Sequence, residues 1–452
     1  MSQPSLPSSA AAPSSPTAHD PYAPLRIPAF RWFVASIWAM AMGAQIQGVV
    51  VAWQMYALTH DPLALGMVGL AEAAPFIGFA LFAGHVADVL DRRRVALTAL
   101  VVLFVCAAAL SVASFTFIEK PARAGGAAPT AGVRFIIYGV IVVCGAACSF
   151  LLPARNALGA DLVPRPLFPR AVAWRTGIWQ VAAVSGPALG GVFYGWLGPT
   201  ASYAIAAALM ATSLGTVALI GAPPRAPTAA RREPLITSVR QGLAFLFSRP
   251  IFLGAMTLDL LAVLFGGAVA ILPIFANDIL HVGPRGLGAL RGAPAIGAVL
   301  MSGWLALRPP LRRAGRTFLG AVGVFGLFMI AFALSRWFWL SIALLAASGA
   351  ADMLSVYFRG TLLQVMVPSG MLGRVSAVNQ IFIGSSNEIG AFESGVAARL
   401  LGTVPSVVFG GVVTVVVTAV TGWRVPQLAR LDRLEPPEPI DDAAPRAPVG
   451  RR

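Results

Sequence analysis

The sequence predicts an all-α polytopic membrane protein with twelve transmembrane helices in two six-helix halves. Three observations carry this. The 452 residues are 57% hydrophobic and only 11% charged, with a mean hydropathy of +0.78, far from the roughly one-quarter charged residues of a soluble domain. The apolar residues fall in twelve long segments separated by short polar ones. The basic residues gather in alternate loops.

The segments lie near 30–58, 63–87, 95–118, 134–152, 171–197 and 199–221, then 250–276, 286–307, 317–334, 337–358, 376–401 and 405–424. Most are 17 to 25 residues, the length of a helix crossing about 30 Å of hydrocarbon. The period-2 alternation of outer-membrane strands is absent. Residues 1–29 are rich in Pro, Ser and Ala without an apolar core, and 425–452 alternate Pro with charge. Both are expected to be disordered tails. The interruption at 222–249 is basic and proline-bearing, then amphipathic from Leu235 to Phe247. It reads as a cytoplasmic linker carrying an interfacial helix between the halves 30–221 and 250–424.

The net charge of +15 comes from 33 basic and 18 acidic residues. With an inside N-terminus and alternating loops, 26 of the 33 basic residues fall on the inner side. That is the positive-inside pattern, with both termini cytoplasmic in the inner (plasma) membrane. The positive charge therefore marks topology and contact with anionic lipid headgroups, not nucleic acid. Three cysteines lie in apolar stretches without metal-ligand spacing. No HExxH, nucleophile elbow or phosphate loop occurs, so neither an enzyme nor a cofactor is expected. A monomer is expected.

Charges that topology does not place are the site candidates. Glu72, Asp259, Glu388 and Glu393 sit inside apolar spans. An ionised carboxylate at a span centre costs about 2.5–3.5 kcal/mol on insertion scales, so such groups face a cavity or a partner. Uptake of a proton removes that cost, which suits a proton carrier. Glu388 and Glu393, about 140° apart around a helix, cannot share one narrow face. Asn379 and Asn387 lie on the same span, and Arg291 lies slightly inside the eighth; these can bond substrate or neighbouring helices. Trp38, Trp53, Phe76, Trp179, Phe265, Phe325 and Phe382 are candidate cavity aromatics.

Three motifs remain. The loop after the second span reads Gly84-His85-Val86-Ala87-Asp88-Val89-Leu90-Asp91-Arg92-Arg93-Arg94. It resembles the loop signature of the major facilitator superfamily at Gly84, Asp88, Arg92 and Arg93. It departs from it where Val89 replaces a basic residue and Asp91 a glycine. Gly84, Asp88, Asp91, Arg92 and Arg93 are expected to form a conformational latch holding the halves together on the inner side. Gly186, Pro187, Gly190 and Gly191 in the fifth span resemble the Gly-Pro-x-x-Gly-Gly motif of antiporters in that superfamily and are expected to kink the helix. Asp61 to Gly66, Gly373 to Asn379 and Ile381 to Gly395 resemble the enterobactin-exporter branch, also called transmembrane secretion effectors.

The resemblance covers about residues 30–433. It implies a major facilitator fold and a secondary transporter exporting a siderophore or other amphipathic molecule by proton antiport. The branch also includes drug exporters. An importer or uniporter of a polar metabolite, with the acids as packing groups, is the competing expectation.

Overall fold

The computed structural model describes residues 20–123, 130–221, 235–307 and 313–432; within the helices, side chains at some positions, Asp88 and Glu388 among them, lie outside the description. Among the described residues the regular structure is helical throughout. α1 is Pro28–Thr59, α2 Pro62–Val89, α3 Arg92–Ser114 and α4 Thr130–Asp161. Phe168–Ala218 follows as 51 residues interrupted at Gly198, whose φ of 79° is open to glycine at little cost. A continuous helix of that length would measure about 76 Å. Instead Gly190 packs on Ile46 and Gly43 packs on Ala206, so residues on both sides of Gly198 meet one level of α1. The chain reverses there, giving α5 (168–197) and α6 (199–218).

The amphipathic α7, Leu235–Phe247, forms as its polarity pattern predicts. Then come α8 (Pro250–Gly266), α9 (Gly283–Ala306), α10 (Ala314–Leu334), α11 (Phe338–Met366), α12 (Ser369–Leu401) and α13 (Thr403–Arg424). Ten helices among the described residues are long and apolar enough to cross a membrane, one being the α5–α6 hairpin. α12 is 33 residues long but its polar side chains keep it out of that set.

Local sequence sets the helix ends. Asp61 accepts from the Leu63 backbone N–H at 3.0 Å with Pro62 at the first helical position of α2. Asp91 accepts from the backbone N–H groups of Arg93 and Arg94 and starts α3. Each cap is worth about 1 kcal/mol. Both tails extend the ordered structure beyond the expected limits. Before α1, Ala23–Arg26 forms a short turn, and Trp174 Nε1 donates to the Pro21 carbonyl at 3.0 Å. After α13, Leu428 is fully buried against Gly315, and the Gly315 N–H donates to the Leu431 carbonyl. Residues 425–432 thus occupy the start of α10, because that helix needs acceptors for its first N–H groups.

Packing follows small residues, as between membrane helices generally. α1 packs on α5 and α6, α2 on α4, and α3 on α4 and α6. In the second set, α9 packs on α11, α10 on α11 and α13, and α8 on α12 and α13. The two sets meet chiefly through α2 against α12 and α5 against α9. There the backbones touch. A Cβ on Gly395 would lie 2.6 Å from Gly66 Cα, and one on Gly288 would lie 2.5 Å from the Pro187 carbonyl oxygen. Buried hydrogen bonds join helices elsewhere: Tyr203 Oη donates to Gln54 Oε1 at 2.6 Å, and Gln54 Nε2 to Ser114 Oγ at 3.2 Å. Such bonds average about 0.6 kcal/mol in membranes.

Candidate functional site: a charged cavity between the helix sets

A cavity of about 340 Å³ lies where the two sets meet, lined from α1, α2, α3, α4, α6, α8, α9 and α12. Its wall is mostly aliphatic and sulfur-bearing, with Met40, Leu65, Leu103, Ile141, Cys144 and Met210 among the residues. Glu72 and Arg291 face it from opposite sets, and Gln47 and Asn387 add amide groups.

The backbone places Glu72 firmly. Pro75, three residues on, lacks the N–H that a helix would donate one turn back. Gly145 of α4 lies against the Glu72 carbonyl with no room for a Cβ. The α2 backbone is therefore pinned to α4 at this level. Opposite, Arg291 Nη1 donates to the Gly48 carbonyl oxygen at 2.8 Å, linking α9 to α1. Gln47 Nε2 lies 3.7 Å from Cys144 Sγ. An acid and a base thus share one apolar space, where water screens them little.

A third wall comes from a break in α8. The helix stops at Gly266, and the chain resumes as short turns at Val269–Ile271 and Leu272–Ile274. Gly267, Val269 and Ala270 line the cavity. The Gly267 carbonyl, freed by the break, accepts from Ser394 Oγ at 2.6 Å. Irregular backbone at membrane depth is tolerated where protein or a cavity satisfies it. The Gly266-Gly267 pair is the sequence signal for this break.

The remaining candidates are placed differently. Asp259 does not reach the cavity. It pairs with Arg359 of α11 at 2.7 Å, both side chains at most 7% exposed, and accepts from Ser355 Oγ at 3.2 Å. The hydropathy pattern assigns Arg359 to an inner loop and does not single out Asp352. Yet 352, 355 and 359 recur at helical spacing on one face of α11. Glu393 lies in a separate small space with Phe265, Ser394 and Ser406. Asn387 lines the cavity while its Nδ2 donates to the Ile383 carbonyl at 3.0 Å. Asn379 Oδ1 is buried without a hydrogen-bond partner among the described residues, and Asn379 is not in the cavity lining. Glu388 lies on α12 one residue after Asn387, and its side chain is outside the described residues.

The expected aromatic lining is not found among the described cavity residues. Trp38 and Trp179 are each 39% exposed and are not among the residues lining this cavity. Phe76 packs on Gly384, Phe325 on Gly266, and Trp53 edge-on against Tyr194. Phe382 packs against the buried core of the second set. Hydropathy cannot tell a lipid-facing ring from one facing a cavity.

The loop after α2 also differs from expectation. Asp91 caps α3, Arg92 pairs with Asp161 of α4, and Arg93 Nη2 donates to the Ala218 carbonyl at the end of α6. These contacts stay within the first six helices; among the described residues none of the three bridges to the second set. Gly84 lies near the end of α2, and the Asp88 side chain is outside the described residues. In α5 the glycines serve two neighbours. Gly186 and Gly190 admit Gln45 and Ile46 of α1, while Gly191 meets Gly288 of α9. Pro187 sits inside a helix that runs on past it, and the glycines around it form a packing surface.

Contacts between the sets cluster at the end bearing the α1–α2 turn and Gly198. Tyr56 Oη donates to Asp278, Arg399 pairs with Asp61 at 3.4 Å, and Arg285 lies 5.3 Å from the Trp196 ring centroid.

Residues 19–442 match the family model described as transmembrane secretion effector. The chain is 28% identical to the enterobactin exporter EntS of Citrobacter koseri, over 92% of this chain and 96% of that protein. It is 27% identical to EntS of Escherichia coli O127:H6, over 78% of this chain and 80% of that one. Among solved structures, a bacterial homologue of the iron transporter ferroportin aligns with a TM-score of 0.68 and 16% identity, covering 90% of this chain and 99% of that one. A mutant of the nucleoside transporter NupG aligns at 0.65 and 12% identity, covering 87% and 98%. The chain belongs to the transmembrane secretion effector family, and it is a multi-pass membrane transporter with the major facilitator fold.

Proposed function

We propose that this transporter exports a siderophore or other amphipathic small molecule across the inner membrane by proton antiport with alternating access. The observation that carries the proposal is the cavity in which Glu72 and Arg291 face one apolar space from two helix sets. The apolar wall takes the body of an amphipathic molecule, and Arg291 takes an acidic or oxygen-rich group on it. Glu72 carries the proton. The proton binds when the cavity opens outward and leaves when it opens inward, as substrate enters. Rocking of residues 30–221 against 250–424 exchanges the two openings.

The positive-inside distribution supports cytoplasmic termini. In that orientation the clustered contacts Tyr56–Asp278 and Asp61–Arg399 close the outer end. The 28% identity to enterobactin exporters supports a siderophore as substrate. A second reading, efflux of varied hydrophobic drugs, draws support from the aliphatic and sulfur-bearing wall, which offers adaptable packing in place of aromatic stacking.

Everted membrane vesicles test the proposal. An acid-inside gradient should drive accumulation of a labelled siderophore, and a protonophore should abolish it. Accumulation that survives the protonophore would sink the antiport reading. Unchanged siderophore in the medium of a strain lacking the protein, with a lost drug, would move the substrate to the second reading.

A further inference from the structure

Three consecutive arginines begin α3, and two are engaged. Arg92 pairs with Asp161, and Arg93 donates to the Val217 and Ala218 carbonyls. Arg94 is exposed, and its guanidinium meets no hydrogen-bonding or ion-pairing group among the described residues; its recorded bonds are those of its backbone. It lines a groove of about 910 Å³ between α2, α3 and α4. Beyond Arg94 and Asp91 the groove wall is almost wholly apolar, running along Val95, Val102, Val143, Ala147 and Phe150. One oxygen of the Asp91 carboxylate accepts from the Arg93 and Arg94 backbone N–H groups. Arg94 is therefore the cation that the rim offers to a ligand, while Asp91 is directed at the helix start.

We infer that this groove is a binding site for one anionic diacyl phospholipid. Its phosphate group pairs with Arg94, and an acyl chain lies along α3 and α4. Charge and shape agree on this occupant. The groove is walled by helices long and apolar enough to cross the membrane, so acyl chains are its expected surroundings. Its cation sits at the arginine-rich end, where a headgroup is positioned. A guanidinium at the interface attracts a phosphate through surface charge, and bidentate hydrogen bonding adds to that. A bound lipid here also spans the α2–α3 turn, which is covalently tied to the cavity helix bearing Glu72. This inference rests on the membrane-spanning fold and the reading of this end as lipid-interfacial, not on proton coupling.

The test measures lipid directly. Purified full-length protein in detergent is equilibrated with phosphatidylglycerol and phosphatidylcholine of matched chains, and native mass spectrometry counts retained lipid. The wild type should retain one phosphatidylglycerol in several-fold preference. Arg94→Gln should abolish the preference, Arg94→Lys should keep most of it, and Val102→Trp should displace the lipid by filling the groove. Arg424→Gln, at the same end of the bundle on α13, should leave it unchanged. The inference is overturned if wild type shows no preference, if Arg94→Gln retains it, or if Arg424→Gln weakens it equally. Loss of lipid binding says nothing about siderophore accumulation, so the two proposals fail separately.

Discussion

Arg291 Nη1 donates to the Gly48 carbonyl oxygen at 2.8 Å, joining α9 to α1 across the cavity. A carbonyl inside a helix already has its intrahelical partner, so this charged donor holds it as a second bond. The link ties the cavity-lining cation to the interface between the two helix sets. Under the proposed function, substrate engaging Arg291 would compete with that tie and so couple binding to movement.

Replacing Arg291 therefore tests both roles. Arg291→Ala removes a hydrogen bond from a charged group, worth about 1.5–3 kcal/mol, so substrate affinity should fall about 10- to 100-fold. Arg291→Lys keeps the charge but not the planar fork and should fall between the two. Equilibrium binding of labelled substrate to the purified protein measures this; equal affinity in all three would remove Arg291 from the site.

The glycine contacts predict where the bundle seals. Gly395→Val and Gly288→Val place atoms against backbone that cannot yield, at 2.6 and 2.5 Å in this arrangement. Neither variant should close the end bearing the α1–α2 turn. Cys148 lines the cavity, so its labelling by an impermeant maleimide added outside intact cells should rise several-fold. Unchanged labelling with normal transport would show that the end need not seal there.

The Asp259–Arg359 pair makes a different prediction because both members are buried. Arg359→Gln leaves a buried carboxylate uncompensated, which costs about 3–5 kcal/mol. Asp259→Asn with Arg359→Gln should cost much less than the sum of the single changes. Melting in detergent, read as a double-mutant cycle, checks this. Additive losses would mean the two charges do not stabilise each other.

Glu393 lies in its own small space away from the cavity lining. Glu393→Gln should leave gradient-driven transport within about two-fold, a change near 0.4 kcal/mol. A loss of the size expected for Glu72 would place Glu393 in the coupling path.

Much of the architecture was legible in the sequence because desolvation acts on whole segments. A 20-residue apolar run has one economical state in a bilayer, and Gly198 with Pro199 marks the sharp reversal between α5 and α6. What failed depends on which way a side chain faces. Arg359 looks like a loop residue because hydropathy fades after residue 358, yet α11 runs to Met366. Its charge is masked by Asp259, a partner far away in the chain. Trp38 and Trp179, absent from the cavity lining, are indistinguishable from lining residues in the sequence because lipid and cavity both accept rings. Glu72 stands out correctly as an acid within a span, but its opposition to Arg291 arises only when α2 and α9 are brought together.

In the proposed cycle Glu72 carries the proton while the rest of the cavity holds substrate. Proteoliposomes separate these functions by comparing substrate exchange without a gradient with accumulation driven by a pH gradient. Glu72→Gln mimics the protonated side chain, so it should keep exchange near the wild-type rate and lose gradient-driven accumulation. Accumulation equal to wild type, or equal loss of both activities, would contradict the account.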